Sequence, residues 1–135
     1  MLEELWTQRE EAKARGDAVA SFAYKIIMNS FYGVLATDSC RFAEEELASA
    51  ITEFGHYLLR WTRDRLQDEG RGSVLYGDTD SLFVDAGLPA DITPPQAHEA
   101  GQVLCAWLND ELAAHVRECF DLPSHLDLEF EKIPL

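Results

Sequence analysis

Two groups of residues in this chain have types and spacings that could do chemistry. The first is Tyr76-Gly77-Asp78-Thr79-Asp80-Ser81, which sets two carboxylates two residues apart on a short polar turn. Like charges held together repel unless a cation neutralises them, and carboxylate oxygens of this kind suit Mg²⁺. A bare Asp-x-Asp is more often a solvated turn, because Asp and Gly are common turn residues. The full hexapeptide, with an apolar run on each side, is far more specific. The second group is basic. Arg9 and Lys13 are four residues apart, and Lys25, Asn29 and Gly33 follow at i, i+4 and i+8, with Tyr32 beside them. On helices each set shares one face. Antiparallel packing of those helices would form a clamp of three cations suited to a triphosphate. The plainer alternative is that Arg9 and Lys13 are solvated and pair with Glu3, Glu4, Glu10 or Glu11.

The elements that must position these groups are legible in the hydrophobic pattern. Residues 2–15 read as a helix rich in Glu, Ala, Lys and Arg, stopped by Gly16. Asp17 can cap a second helix over 19–32, with apolar positions at Phe22, Ile26, Ile27 and Phe31, giving a helical hairpin. Residues 33–44 read as irregular. A long helix over 45–67 carries Leu47, Ile51, Phe54, Leu58 and Trp61 at helical spacing, and Asp68-Glu69-Gly70-Arg71-Gly72 ends it. Residues 73–76 and 81–85 read as a β-hairpin around the acidic turn, whose type the sequence does not fix. After a proline-containing loop, a helix over 95–119 is expected to bury Val103, Leu104, Trp107, Leu108, Leu112 and Val116. Residues 125–133 alternate, Leu126, Leu128 and Phe130 against Asp127, Glu129 and Glu131, which predicts a half-buried strand. The fold class expected is α+β: a helical hairpin plus helices packed on a small antiparallel sheet.

Composition sets the limits. The chain has 135 residues, 47% hydrophobic and 27% charged, so it reads as soluble and globular rather than disordered. No uninterrupted apolar run approaches the ~20 residues of a membrane span, and the N-terminus lacks a signal-peptide pattern, so no membrane partner and a cytoplasmic location are expected. Cys40, Cys105 and Cys119 are odd in number and scattered, which fits a reducing compartment. His115 and Cys119 sit at i, i+4, but a zinc site needs three or four such ligands. The net charge of −14 opposes the basic balance usual for a nucleic-acid-binding domain. A DNA partner would therefore need much of its positive counter-surface elsewhere.

Together the segments resemble family B DNA polymerases, the bacterial polymerase II group most closely. Residues 25–33, Lys-Ile-Ile-Met-Asn-Ser-Phe-Tyr-Gly, match the family's KxxxNSxYG motif of the fingers, and residues 76–81 match its YGDTDS palm motif. Arg9-x-x-x-Lys13 looks like the RxxxK pair of the opposing fingers helix, and 126–133 resembles the palm strand that follows. The resemblance implies a fingers hairpin over 1–33 and part of a palm over 34–135. It implies nucleotidyl transfer from a deoxynucleoside triphosphate to a primer 3′-hydroxyl on a DNA template, with two Mg²⁺ ions. Asp80 would be the direct metal ligand and Asp78 a contributor. Arg9, Lys13 and Lys25 would neutralise the triphosphate, Asn29 and Tyr32 would sit beside the nucleotide, and Gly33 would permit close backbone approach. Glu129 or Glu131 would approach the metals from the last strand. The family's DxxSLYPS and KKxY motifs have no counterpart in these residues. A fragment that does not polymerise by itself is therefore expected; the alternative is a stand-alone, non-catalytic interaction module derived from a palm.

Overall fold

The computed structural model describes residues 1–132. Its order is α1 (Leu2–Ala14), α2 (Ala18–Leu35), α3 (Glu45–Asp68), β1 (Ser73–Asp78), β2 (Ser81–Asp85) and α4 (Pro94–Phe120). Four helices and one two-stranded antiparallel sheet make the chain α+β. It divides into two compact units, residues 1–54 and residues 55 onward, with α3 running from one into the other. The division expected after Gly33 falls inside α2, two residues before its end.

In the first unit, local signals place the helical hairpin. Gly16 takes a φ of +72° between α1 and α2, a conformation that costs glycine little. The Asp17 carboxylate then accepts the Ala20 N–H at 3.0 Å and caps α2. Ala12 is fully buried in α1, and α2 has no buried residue. Phe22, Ile26 and Ile27, expected as its apolar face, are exposed, as are Leu47, Ile51 and Phe54 of α3. A helical pattern marks which side chains share a face but supplies nothing to cover them. α2 has no uninterrupted apolar run, because Lys25 and Asn29 break it, as the sequence led one to expect. Its 18 residues average a hydropathy of 1.2, which by length and composition is enough to cross a bilayer. At 1.5 Å per residue it is about 27 Å long, slightly short of the ~30 Å hydrocarbon core.

The second unit has a small core. Leu58 of α3 packs with Leu112 and Val116 of α4, flanked by Trp61 and Leu128, while Leu66 is fully buried. Burying one leucine side chain contributes about 2 kcal/mol. Thr62 sits in this apolar surface with its hydroxyl donated back to the Leu58 carbonyl at 2.8 Å, so no polar group is stranded. Arg65 joins the two helices by donating Nε to Glu111 at 2.7 Å, and that bond holds its guanidinium pKa above the ordinary value. α4 starts with Pro94 after Thr93, whose N–H and hydroxyl both reach the Gln96 side chain. It buries Leu108, Leu112 and Val116 as expected, but Val103 is exposed.

The strand predicted over 125–133 does not form: residues 121–132 carry no regular structure, and Ile133 lies outside the described residues. The pattern survives without the ladder. Leu128 and Phe130 are half-buried against α4, and the Leu128 backbone is met by side chains instead of another strand. Among the described residues the sheet has only β1 and β2, so the segment's hydrogen bonds go to a helix.

Candidate active site

The acidic turn is tighter than the sequence implied. Asp78 pairs with Ser81 as the last rung of the ladder, which leaves Thr79 and Asp80 as a two-residue turn. Such a turn requires a positive φ, and Thr79 adopts +38°. A β-branched residue there is strained by about 1 kcal/mol or more, and stored strain of this kind clusters at functional sites. Both carboxylates are exposed. Thr79 Oγ1 donates to Asp78 at 3.1 Å and Ser81 Oγ donates to Asp80 at 3.4 Å. The two differ in surroundings: Asp78 lines a cleft with residues of α3, and Asp80 does not. No cluster of three or more His, Cys, Asp or Glu side chains that could hold a metal ion occurs among the described residues. Two carboxylates fit one side of a Mg²⁺ ion, which ordinarily takes one or two carboxylates and fills its other positions with water and substrate phosphates. Glu129 and Glu131 are exposed.

The basic residues converge as their spacing suggested. Arg9 and Lys13 of α1 and Lys25 of α2 line one cleft of about 390 Å³, together with Ser21 and Phe22. That volume lies within the ~300–1,000 Å³ of small-molecule sites. The cleft exists because Gly16 turns the chain back and sets α1 against α2. Lys13 pairs with Glu10 at 3.1 Å, the solvated alternative in part. Arg9 does not pair with a carboxylate among the described residues. Its guanidinium lies 5.9 Å from the Trp6 ring centroid, and its Nε is buried without a hydrogen-bond partner. Three cations around one open cleft fit an anion arriving from outside.

Asn29, Tyr32 and Gly33 lie farther along α2 and do not line that cleft. Asn29 is exposed, the Tyr32 hydroxyl is 3.0 Å from Thr52 Oγ1, and nothing approaches Gly33 within 4 Å of where a Cβ would stand.

Three further arrangements gave little or no advance signal. Asn109 of α4 clips the 126–130 segment: its Oδ1 accepts the Leu128 N–H at 2.8 Å and its Nδ2 donates to the Leu128 carbonyl at 2.9 Å. Cys105 adds its thiol to the same carbonyl at 3.0 Å, and burial, then Asp127 and Glu129, push that thiol's pKa up. His115, four residues before Cys119, lies 3.5 Å from its sulfur, but its other ring nitrogen meets the Tyr57 hydroxyl at 2.8 Å and Trp61 stacks on the ring. An i, i+4 spacing could only hint at that last pair.

The β-hairpin of the second unit carries Asp-x-Asp, and the helical hairpin of the first carries three convergent cations. The sequence model of DNA polymerase family B matches residues 7–133, and the chain belongs to that family. It is 42% identical over 127 residues to DNA polymerase II of Escherichia coli (strain K12), which covers 94% of this chain and 16% of that protein. It is 34% identical over 114 residues to a DNA polymerase of Paramecium bursaria Chlorella virus NY2A, covering 82% of this chain and 11% of the viral protein. Against the DNA-directed DNA polymerase of Escherichia phage RB69 the identity is 39% over 70 residues, 46% of this chain and 8% of the phage protein. The chain thus corresponds to about a sixth of the bacterial relative's length.

Proposed function

We propose that these residues are the triphosphate-gripping hairpin and part of the catalytic palm of a DNA-directed DNA polymerase. The substrates are a deoxynucleoside triphosphate and a primer on its DNA template. The observation that carries it is the meeting of Arg9, Lys13 and Lys25 around one cleft, in a family whose relatives are named DNA polymerases. In that cleft the guanidinium fork of Arg9 and the two ammonium groups hold phosphate oxygens by charge-assisted hydrogen bonds. Asn29 and Tyr32, on the same helix, contact the rest of the nucleotide. Asp80, with Asp78 contributing, would hold Mg²⁺, which when bound activates the primer hydroxyl and stabilises the departing pyrophosphate. Two carboxylates supply only part of a two-ion ligand set, so a chain of these 135 residues should not extend a primer. Free cysteines at positions 40, 105 and 119 are consistent with a reducing, cytoplasmic setting.

Titration of a fluorescent deoxynucleoside triphosphate into the chain tests the clamp. Lys25 is exposed, so Lys25→Ala keeps the fold. It removes a charged hydrogen bond of about 1.5–3 kcal/mol, hence roughly ten-fold or more in affinity. Arg117→Ala, outside the cleft, should leave affinity unchanged. Equal affinities for all three proteins would refute the clamp.

A further inference from the structure

Cys119, His115 and Tyr57 form a line of polar atoms that the roles above leave unused. Cys119 and His115 are one turn apart near the end of α4, and Cys119 Sγ stands 3.5 Å from His115 Nδ1. The other ring nitrogen, Nε2, meets the Tyr57 hydroxyl of α3 at 2.8 Å. Trp61, one turn along α3, stacks on the imidazole with 4.3 Å between ring centroids and 17° between planes. Phe120 meets the same ring edge-on at 6.2 Å. The imidazole is thereby held in place, with one nitrogen turned to an exposed thiol. A nucleophile, a base within its reach and a third group that orients the base are how a weak nucleophile is activated. When Nε2–H donates to the Tyr57 oxygen, Nδ1 keeps its lone pair for the thiol proton. The charged side chains of the two helices do not intervene. Asp64 is paired with Arg63 and Glu111 with Arg65, while Arg117 and Glu118 are exposed. Neither His115 nor Cys119 forms an ion pair among the described residues. The other two cysteines lack this arrangement. Cys105 is half-buried and gives its thiol to the Leu128 carbonyl, and no histidine bonds to Cys40 among the described residues.

We propose that Cys119 is a site of reversible modification by a low-molecular-weight disulfide, with His115 as the base. It uses none of the residues given a part in nucleotidyl transfer. As Cys119 Sγ attacks one sulfur of the disulfide, its proton passes to His115 Nδ1. A bond forms between Sγ and that sulfur while the original S–S bond breaks. The outer sulfur leaves with the bonding electrons as a thiolate and takes the proton back from His115. Cys119 is oxidised to a mixed disulfide, half of the reagent is reduced to a thiol, and a second thiol reverses the exchange. A peroxide would instead leave a sulfenic acid, which is kept reversible by condensing with a neighbouring thiol. No second cysteine bonds to this cluster among the described residues. The rings of Tyr57, Trp61 and Phe120 offer apolar surface to the organic half of a mixed disulfide.

The test incubates the whole chain with hydroxyethyl disulfide, whose lack of charge keeps the net charge of −14 from steering it. Peptide mass spectrometry then follows each cysteine separately, in the native chain and in urea. At pH 7 native Cys119 should react about ten-fold faster than in urea, below the usual contribution of a well-placed base because the 3.5 Å separation is long. Cys105 should react more slowly native than in urea. His115→Gln should abolish the acceleration of Cys119. Tyr57→Phe keeps the ring and frees Nε2, so it should lose roughly threefold through a less well oriented base. Both differences should fall below about twofold at pH 9.5, where thiols with an ordinary pKa of about 8.5 ionise unaided. A change in packing or access would persist there. Circular dichroism checks that α4 survives each substitution, and if His115→Gln unfolds it, Tyr57→Phe decides alone. Native Cys119 no faster than in urea, variants equal to the parent at pH 7, or differences that persist at pH 9.5 would each overturn the proposal. So would hydrogen peroxide consuming Cys119 faster than the disulfide at equal concentration, which would assign a peroxide site. A Cys119–Cys119 dimer as the main product would overturn it in favour of a contact between copies.

Discussion

Asn109→Ala removes the clip between α4 and the 126–130 segment. Two neutral bonds to the half-buried Leu128 backbone are lost, at 2.8 and 2.9 Å, and each contributes about 1 kcal/mol net. The third bond, to the exposed Asp127 carboxylate at 3.2 Å, adds little after solvent screening. The docked segment should therefore loosen by roughly 2 kcal/mol. Helix propensity pushes the other way, because alanine is better than asparagine by up to ~0.7 kcal/mol. If the clip did nothing, the substitution would stabilise α4, so the two cases differ in sign. Cys105 is a built-in reporter, since its thiol is half-buried under the Leu128 carbonyl. In a background of Cys40→Ser and Cys119→Ser, the rate of reaction with an aromatic disulfide reads the undocked fraction. A loss of 2 kcal/mol raises that rate about 30-fold. A change below threefold, together with a higher melting temperature, would refute the role given to Asn109.

Two other outcomes follow from the same region. A Cβ on Gly101 would stand 2.6 Å from Phe130 Cζ and in collision with its Cε2. Gly101→Ala gains about 1 kcal/mol of helix propensity, but the ring must leave, so α4 should melt no lower while Cys105 reacts faster; unchanged Cys105 protection would contradict this. The folded Cys105 thiol also binds its proton more tightly than the unfolded one, chiefly through burial. Its contribution is complete below the unfolded thiol pKa and is lost as pH rises from about 8.5 through the higher folded value. Stability should decline over that alkaline range, and Cys105→Ser, which keeps a donor and does not titrate there, should flatten the decline; identical pH profiles would exclude the thiol as its cause.

The sequence alone determined the features that depend on neighbours a few residues away. Gly16 and Asp17 stop one helix and cap the next, composition marks α1, apolar residues at helical spacing mark α2 to α4, and two apolar runs around Gly77-Asp78-Thr79-Asp80 make a hairpin. The same locality put Arg9 with Lys13 and Lys25 with Asn29 on shared helix faces, and the turn at Gly16 made a meeting of the three cations foreseeable. Tertiary structure decided what depends on partners distant in the chain. Residues 126–130 have a strand's alternation, yet with only two strands to the sheet among the described residues the Leu128 backbone went to Asn109, 19 residues away, and to Cys105, 23 away. Phe22, Ile26 and Val103 have core-like spacing but are exposed among the described residues. Asp78 and Asp80 are alike in sequence, and only the lie of α3 across the hairpin set Asp78 in a cleft with Arg60 and Arg63. Spacing fixes which side chains share a face, because backbone geometry is local; what that face meets depends on packing, which is not.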